Sequence, residues 1–196
     1  MSKSTVILII IGAAILIAVG GTLTTYNGLI AKDEAVATAW GNIQAQYQRR
    51  ADLIPNLVNT VKGYAKHESE TLEGVINARS KATQLQVNAK DLTPEKMKQI
   101  QEAQGELSQA LGRLMMISEK YPDLKANEGF SELRAQLEGT ENRINESRQQ
   151  YNGLVQEYNV SVRKFPASMV AGMFGFEKKS QFEAANDAQK APTVEF

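Results

Sequence analysis

The chain has no cysteine, one histidine, no net charge and five prolines in 196 residues. Without cysteine there is no disulfide, no thiolate nucleophile and no zinc-thiolate site, and either redox compartment remains open. The single histidine, His67, lies in Lys66-His67-Glu68-Ser69-Glu70. It lacks the second histidine of a metalloprotease helix and the arrangement of a serine triad, so it reads as a solvated helix-surface residue. Lysine plus arginine number 22 and so do aspartate plus glutamate, which leaves no electrostatic footprint for nucleic acid. These absences give enzyme chemistry little to stand on. They predict no catalytic residue, no cofactor, no metal and no nucleic-acid partner.

Charge is also missing from one long stretch. Thr5 to Thr25 is uncharged and mostly aliphatic, and a run of about twenty such residues matches the hydrocarbon thickness of a bilayer. Residues 1–25 are therefore read as a short cytoplasmic N-terminus and a single transmembrane helix, with the lipid bilayer as first partner. Lys3 and the α-amino group precede the span, whereas Lys32, Asp33 and Glu34 beyond it roughly cancel. Positive-inside logic then places the large part on the periplasmic or extracellular face of a bacterial inner (cell) membrane. A cleaved signal peptide ending near Ala18-Val19-Gly20 is the rival reading; the long apolar run and weak basic end count against it.

The rest is helical in pattern. Leu29, Val36, Ile43 and Leu57 alternate with Trp40, Tyr47, Ile54 and Val61 in a bundle-core stripe. Tyr64, Val75, Ala78, Ala82 and Leu85 continue it, with Leu72 and Ile76 widening the apolar face. Thr93-Pro94 reads as an N-cap and first-turn proline. The helix it opens places Met97, Ile100, Leu107, Leu111, Leu114 and Tyr121 on one side, and Pro122 stops it. A last helix from Asn127 carries Phe130, Leu137, Ile144, Tyr151, Tyr158 and Phe165 at heptad spacing until Pro166.

The segment Arg49-Arg50-Ala51-Asp52-Leu53-Ile54-Pro55 admits two structures. Asp52 can cap a new helix that turns back, or Pro55 can sit as a kink in one helix of about sixty residues, roughly 90 Å long. The unbroken stripe favours the kink; helices of comparable length favour the turn, which is the expectation adopted. The expected fold is all-α: a transmembrane helix, then an antiparallel up-and-down four-helix bundle over residues 26–165. Its helices are expected at about 26–50, 53–88, 94–120 and 127–165, before an apolar segment 166–176 and a flexible tail 177–196.

Several runs carry a specific resemblance. Tyr26-Asn27-Gly28-Leu29, Ala39-Trp40, the stretch from Gln48 to Val58, Val61-Lys62-Gly63-Tyr64-Ala65 and His67-Glu68 look like the LemA family signature. So do Leu111-Gly112-Arg113-Leu114, the stretch from Glu119 to Asn127, the stretch from Glu138 to Ile144, Tyr151-Asn152 and Tyr158-Asn159. Pro192-Thr193-Val194-Glu195-Phe196 is similar to the family's usual terminus. The resemblance spans nearly the whole chain and implies a membrane-anchored antiparallel four-helix bundle; it brings no enzymatic activity with it.

Three surfaces are candidates for recognition. With a turn at Asp52, Arg49, Arg50, Asp52 and Asn56 would meet Asp123, Lys125 and Asn127 at the distal tip and form a polar docking surface. The competing reading is a solvated bundle end with weak ion pairs. Gly41, Gly63, Gly105, Gly112, Gly139 and Gly153 fall beside core positions and point outward, where each costs about 1 kcal/mol relative to alanine. Lateral packing of identical bundles into a homo-oligomer would offset that cost, with drift as the alternative. Val194, Glu195 and Phe196 end the chain in a form that a PDZ-type groove accepts. The apolar run Met169 to Phe176 is too short to span and suits the membrane interface or the bundle base. The expected function is a non-enzymatic envelope scaffold; the alternative is an adaptor presenting partners to an envelope protease or stress system.

Overall fold

The computed structural model describes residues 2–183. Helix α1 runs without a break over Lys3–Tyr64, about 93 Å at the standard rise. The Ser2 side chain caps it by accepting from the Thr5 amide at 3.3 Å. The aliphatic residues from Val6 to Leu23 are exposed. Toward the end of this stretch, the hydroxyls of Thr22, Thr24 and Thr25 donate to the carbonyls of Ala18, Gly20 and Gly21 at 2.8–2.9 Å. Side chains satisfied within their own helix are what a hydrocarbon environment demands. From Leu29 onward the stripe turns inward, and Leu29, Val36, Ile43, Ile54, Leu57 and Val61 are buried.

The chain does not reverse at Asp52. Helix α1 continues through Pro55, and the reversal lies at residues 65–68, where the Glu68 amide donates to Ala65 at 3.2 Å. The expected helices 26–50 and 53–88 are thus replaced by α1 and by α2, Ser69–Gln84. Proline has no N–H for the carbonyl four residues back, which is that of Ala51. Arg79 of α2 supplies the donor instead, Nε to Ala51 O at 2.7 Å. With that acceptor paired from outside, helix continuation costs less than the bare sequence suggests.

Beyond α2, residues 85–93 loop back across α1, held where Trp40 Nε1 and Gln44 Nε2 both donate to Val87 O at 2.8 Å. Helix α3, Pro94–Ser118, begins as the sequence indicates, with Thr93 Oγ1 accepting from the Lys96 amide. A single turn, α4, Pro122–Lys125, crosses the tip. Asn127 then caps α5, Glu128–Arg163, its Oδ1 accepting from the Phe130 amide at 2.9 Å. Cross-helix pairs fix the directions: Arg79 with Ala51, Lys81 with Glu106, Arg50 with Glu141, and Asn127 with Tyr64. The four long helices therefore run up, down, up and down.

The core forms two main clusters. One, toward the tip, contains Ile54, Leu57, Val61, Val75, Leu107, Leu114, Phe130 and Leu137. The other, toward the base, contains Val36, Trp40, Ile43, Met97, Ile100, Ile144, Tyr151 and Tyr158. Phe165 leaves the expected stripe and is 75% exposed, because Lys164 already has extended geometry with ψ 133°. Ile76 and Tyr64 are exposed as well.

Helix α6, Ala167–Phe174, ends at Gly175, whose φ of +73° is the left-handed conformation that glycine adopts without strain. Residues 176–183 then run without regular secondary structure along the bundle flank and bury Phe182. The expected flexible tail is thus corrected for 177–183: side-chain and backbone bonds hold these residues to α3 and α5.

Candidate interaction surfaces

The far end of the bundle holds only part of the expected set. Tyr121 Oη reaches Glu68 Oε1 at 3.3 Å, and Asn127 Nδ2 donates to Tyr64 Oη at 3.0 Å. Asp123 and Lys125 are exposed here. Lys125 pairs with Glu119 and holds its carboxyl below the usual range, first through their hydrogen bond and then through charge. Arg49, Arg50, Asp52 and Asn56 are not at this end. Because α1 continues to Tyr64, Arg50 lies about 21 Å below it along the axis, and the expected seven-residue cluster does not assemble. Arg49, Asp52 and Asn56 are exposed on the side of α1, where Asp52 accepts from Gln48 at 2.7 Å.

Arg50 is only 2% exposed. Its guanidinium donates to Ser108 Oγ at 2.9 Å, Glu141 Oε2 and Gln104 Oε1, tying α1 to α3 and α5, while Nε has no hydrogen-bond partner among the described residues. A buried cation bound this way is a structural clamp, since losing its counter-charge would strand it in the core. The sequence carried the signal: Leu29, Val36, Ile43 and Leu57 skip one seven-residue step, and that step is Arg50.

A cavity of about 530 Å³ opens between α1 and residues 85–88, lined by Trp40, Gln44, Tyr47, Val87, Ile100 and Gln104 among others. Among the described residues no charged side chain lines it. Among the described residues no group of three histidine, aspartate or glutamate side chains is placed to hold a metal.

The glycines face outward. Among the described residues, a Cβ at Gly41, Gly63, Gly105, Gly112, Gly139 or Gly153 would meet nothing within 4 Å. On an ideal helix Gly41 and Gly63 fall about 40° apart on α1, and Gly139 and Gly153 a similar angle apart on α5. Each pair forms one line along its helix.

At the base, α6 closes on α1. Val170 and Ala171 bury against Leu29, and Phe174 lies 4.6 Å from the Tyr26 ring. Phe165, Met169, Met173 and Phe174 remain exposed beside the point where α1 enters its apolar stretch. Higher on the flank, Phe182 packs against Trp40 and Tyr151, with ring centroids at 6.1 and 5.5 Å. Burial pushes the Tyr151 phenol up to about 12. Tyr158 is likewise raised to about 12, by burial first and then by Asp33 and Glu177. The tail candidates Val194, Glu195 and Phe196 lie outside the described residues.

These features define an all-α bundle carried on one long helix whose N-terminal apolar part is a candidate membrane span. The chain matches the LemA family over residues 39–196 and belongs to that family. It is similar to Magnetosome protein MamQ 1 of Paramagnetospirillum magneticum, 25% identical over 178 residues covering 82% of this chain and 65% of the relative. Magnetosome protein MamQ of Magnetospirillum gryphiswaldense matches with the same identity and coverage. Protein LemA of Metamycoplasma hominis is 25% identical over 81% of this chain and 69% of its own length. The chain thus spans about two thirds (65%) of the length of the magnetosome relatives.

Proposed function

We propose that this protein is a non-enzymatic, membrane-anchored scaffold of the bacterial envelope that self-associates laterally in the inner (cell) membrane, with its N-terminus cytoplasmic. The supporting observation is the continuity of α1, which passes from an exposed apolar stretch into the bundle core without a hinge. A continuous helix makes the bundle a post rising about 57 Å from Tyr26 to Tyr64. Neighbouring copies would therefore present the same surfaces at the same height. The exposed face of α6 would rest at the membrane interface, where Phe165, Met169 and Met173 are shielded from water. Open glycine lines on α1 and α5 would let neighbouring helices approach closely.

The test is co-extraction. Tagged and untagged copies are expressed together, extracted in mild detergent and captured through the tag, and the eluate is identified by mass spectrometry. Recovery of the untagged copy supports the scaffold. Its absence, with a different protein in constant ratio, transfers support to an adaptor that presents partners to an envelope protease or stress system. One observation favours that second reading: Asp123 and Lys125 stand exposed at the far end of the post.

A further inference from the structure

Residues 177–183 are held in a manner suited to reading an extended peptide. Asn159 brackets the Lys179 backbone: its Oδ1 accepts from Lys179 N and its Nδ2 donates to Lys179 O, both at 2.9 Å. Asn152 does the same for Phe182, at 2.8 and 3.0 Å. The two asparagines stand seven residues apart on α5, about 10.5 Å along the axis, and the residues they bracket are three apart in sequence, a separation that reaches about 10 Å only when the chain is extended. The ladder and the strand are in register. Tyr151 Oη adds a bond to Ser180 O at 3.0 Å, and Gln101 Nε2 one to Glu183 O at 3.1 Å.

Main-chain bonds are indifferent to side chains, so selectivity must come from two positions. Lys179 Nζ pairs with Asp33 at 2.7 Å and lies over the Tyr158 ring. Phe182 is 8% exposed between Trp40 and Tyr151, with the Arg148 guanidinium over its face. The groove therefore takes a cation followed, three residues on, by an aromatic ring in extended chain.

We propose that this flank groove is a peptide-recognition site that accepts residues 177–183 of a neighbouring copy of this chain as well as its own. The second copy is the occupant because its segment makes the same contacts, so exchange changes only the tether. The continuous α1 sets every copy's groove and strap at one height above the bilayer. Phe176 stays with its own bundle, its amide donating to Ala171 O at 2.9 Å and its ring packed 5.8 Å from Tyr26, so the strap departs after it. The three steps from Phe176 to Lys179 reach about 10 Å, so exchange requires bundles in side-by-side contact. The proposal rests on the self-association proposed above and names its means.

The chain has no cysteine, which allows a direct test in intact membranes. One copy carries Q101C and one tag, a second carries E183C and another tag, and a short bismaleimide joins them; Asp33, Lys179 and Phe182 stay native. A cross-tag product is expected. It should fall at least fivefold when N152A and N159A are placed in the Q101C copy, and should persist when they are placed in the strap-donating copy. Each variant's thermal midpoint confirms that it is folded. A product from the double variant Q101C/E183C within one chain only, while differently tagged chains still co-purify, would overturn the exchange and leave self-association standing. No co-purification at all would overturn both. Cross-tag product unmoved by removing the asparagines from the Q101C copy would mean mere proximity and would also overturn exchange.

Discussion

Arg79 Nε donates at 2.7 Å to the carbonyl oxygen of Ala51, the acceptor that Pro55 leaves without its helical donor. Removing Arg79 should strand a buried carbonyl, at a cost of about 1–3 kcal/mol. Pro55→Ala restores an in-helix donor. Arg79→Ala should therefore destabilise the Pro55 protein markedly and the Pro55→Ala protein much less. A denaturation cycle in detergent measures this coupling, and strictly additive effects would refute it.

Arg50 and Glu141 give an asymmetric prediction. Glu141→Ala leaves the buried guanidinium without its counter-charge; because Glu141 is itself 41% exposed, the cost should fall below the about 3–5 kcal/mol of a fully buried pair. Arg50→Met removes the charge and keeps an apolar side chain of similar reach. The methionine variant should have the higher thermal midpoint, although both lose the same ion pair.

Alkaline pH should loosen the flank. Tyr151 and Tyr158 have phenols pushed up to about 12 by burial, against an ordinary value near 10. The folded state thus holds these protons more tightly than the unfolded chain. Their contribution is complete below about pH 10 and is lost as pH rises toward 12. Tyrosinate absorbance should show a late-titrating fraction among the six tyrosines. Phe182→Ala should shift part of that fraction to lower pH by opening the cover over Tyr151.

The glycine lines predict opposite signs for two kinds of substitution. Alanine at Gly139 and Gly153 meets open space and should stabilise the isolated bundle by up to about 1 kcal/mol per site. Leucine at both should leave the monomer folded and weaken self-association. Sedimentation in detergent separates the two effects, and association unchanged by the leucines would remove this surface from consideration.

Helix α6 should sense lipid. An environment-sensitive fluorophore on Met173→Cys in the full chain should be blue-shifted in vesicles and quenched by spin-labelled lipid. The same probe at Gly112→Cys, on the bundle, should not be quenched. Equal behaviour of the two labels would place α6 away from the interface.

Much of the architecture was legible from spacing. The heptad stripes identified the buried faces of α1, α3 and α5, and Thr93-Pro94 and Asn127 marked helix starts that the structure confirms. The corner at Asp52 misled because proline argues for a helix start, while the remedy, Arg79, lies twenty-four residues from Pro55 in sequence and joins it only through folding. The same shift removed Arg50 from the tip. Its place in the core was visible as the skipped step in the stripe, yet a charged residue there needs Gln104, Ser108 and Glu141 from two other helices.

The flank strap was the least legible element. Glu177 to Glu183 is polar apart from Phe182, and composition of that kind reads as a tether. The recognition signal resides in its receptor, where Tyr151-Asn152 and Tyr158-Asn159 repeat at seven residues. Each tyrosine turns into the core and each asparagine toward the strap.

Lateral self-association is tested most directly by the mass of the complex released from intact membranes after brief crosslinking and mild extraction. The scaffold reading predicts species at multiples of 21.6 kDa built from this chain alone. A population confined to the single-chain mass, or to one copy joined to a different protein, would contradict it.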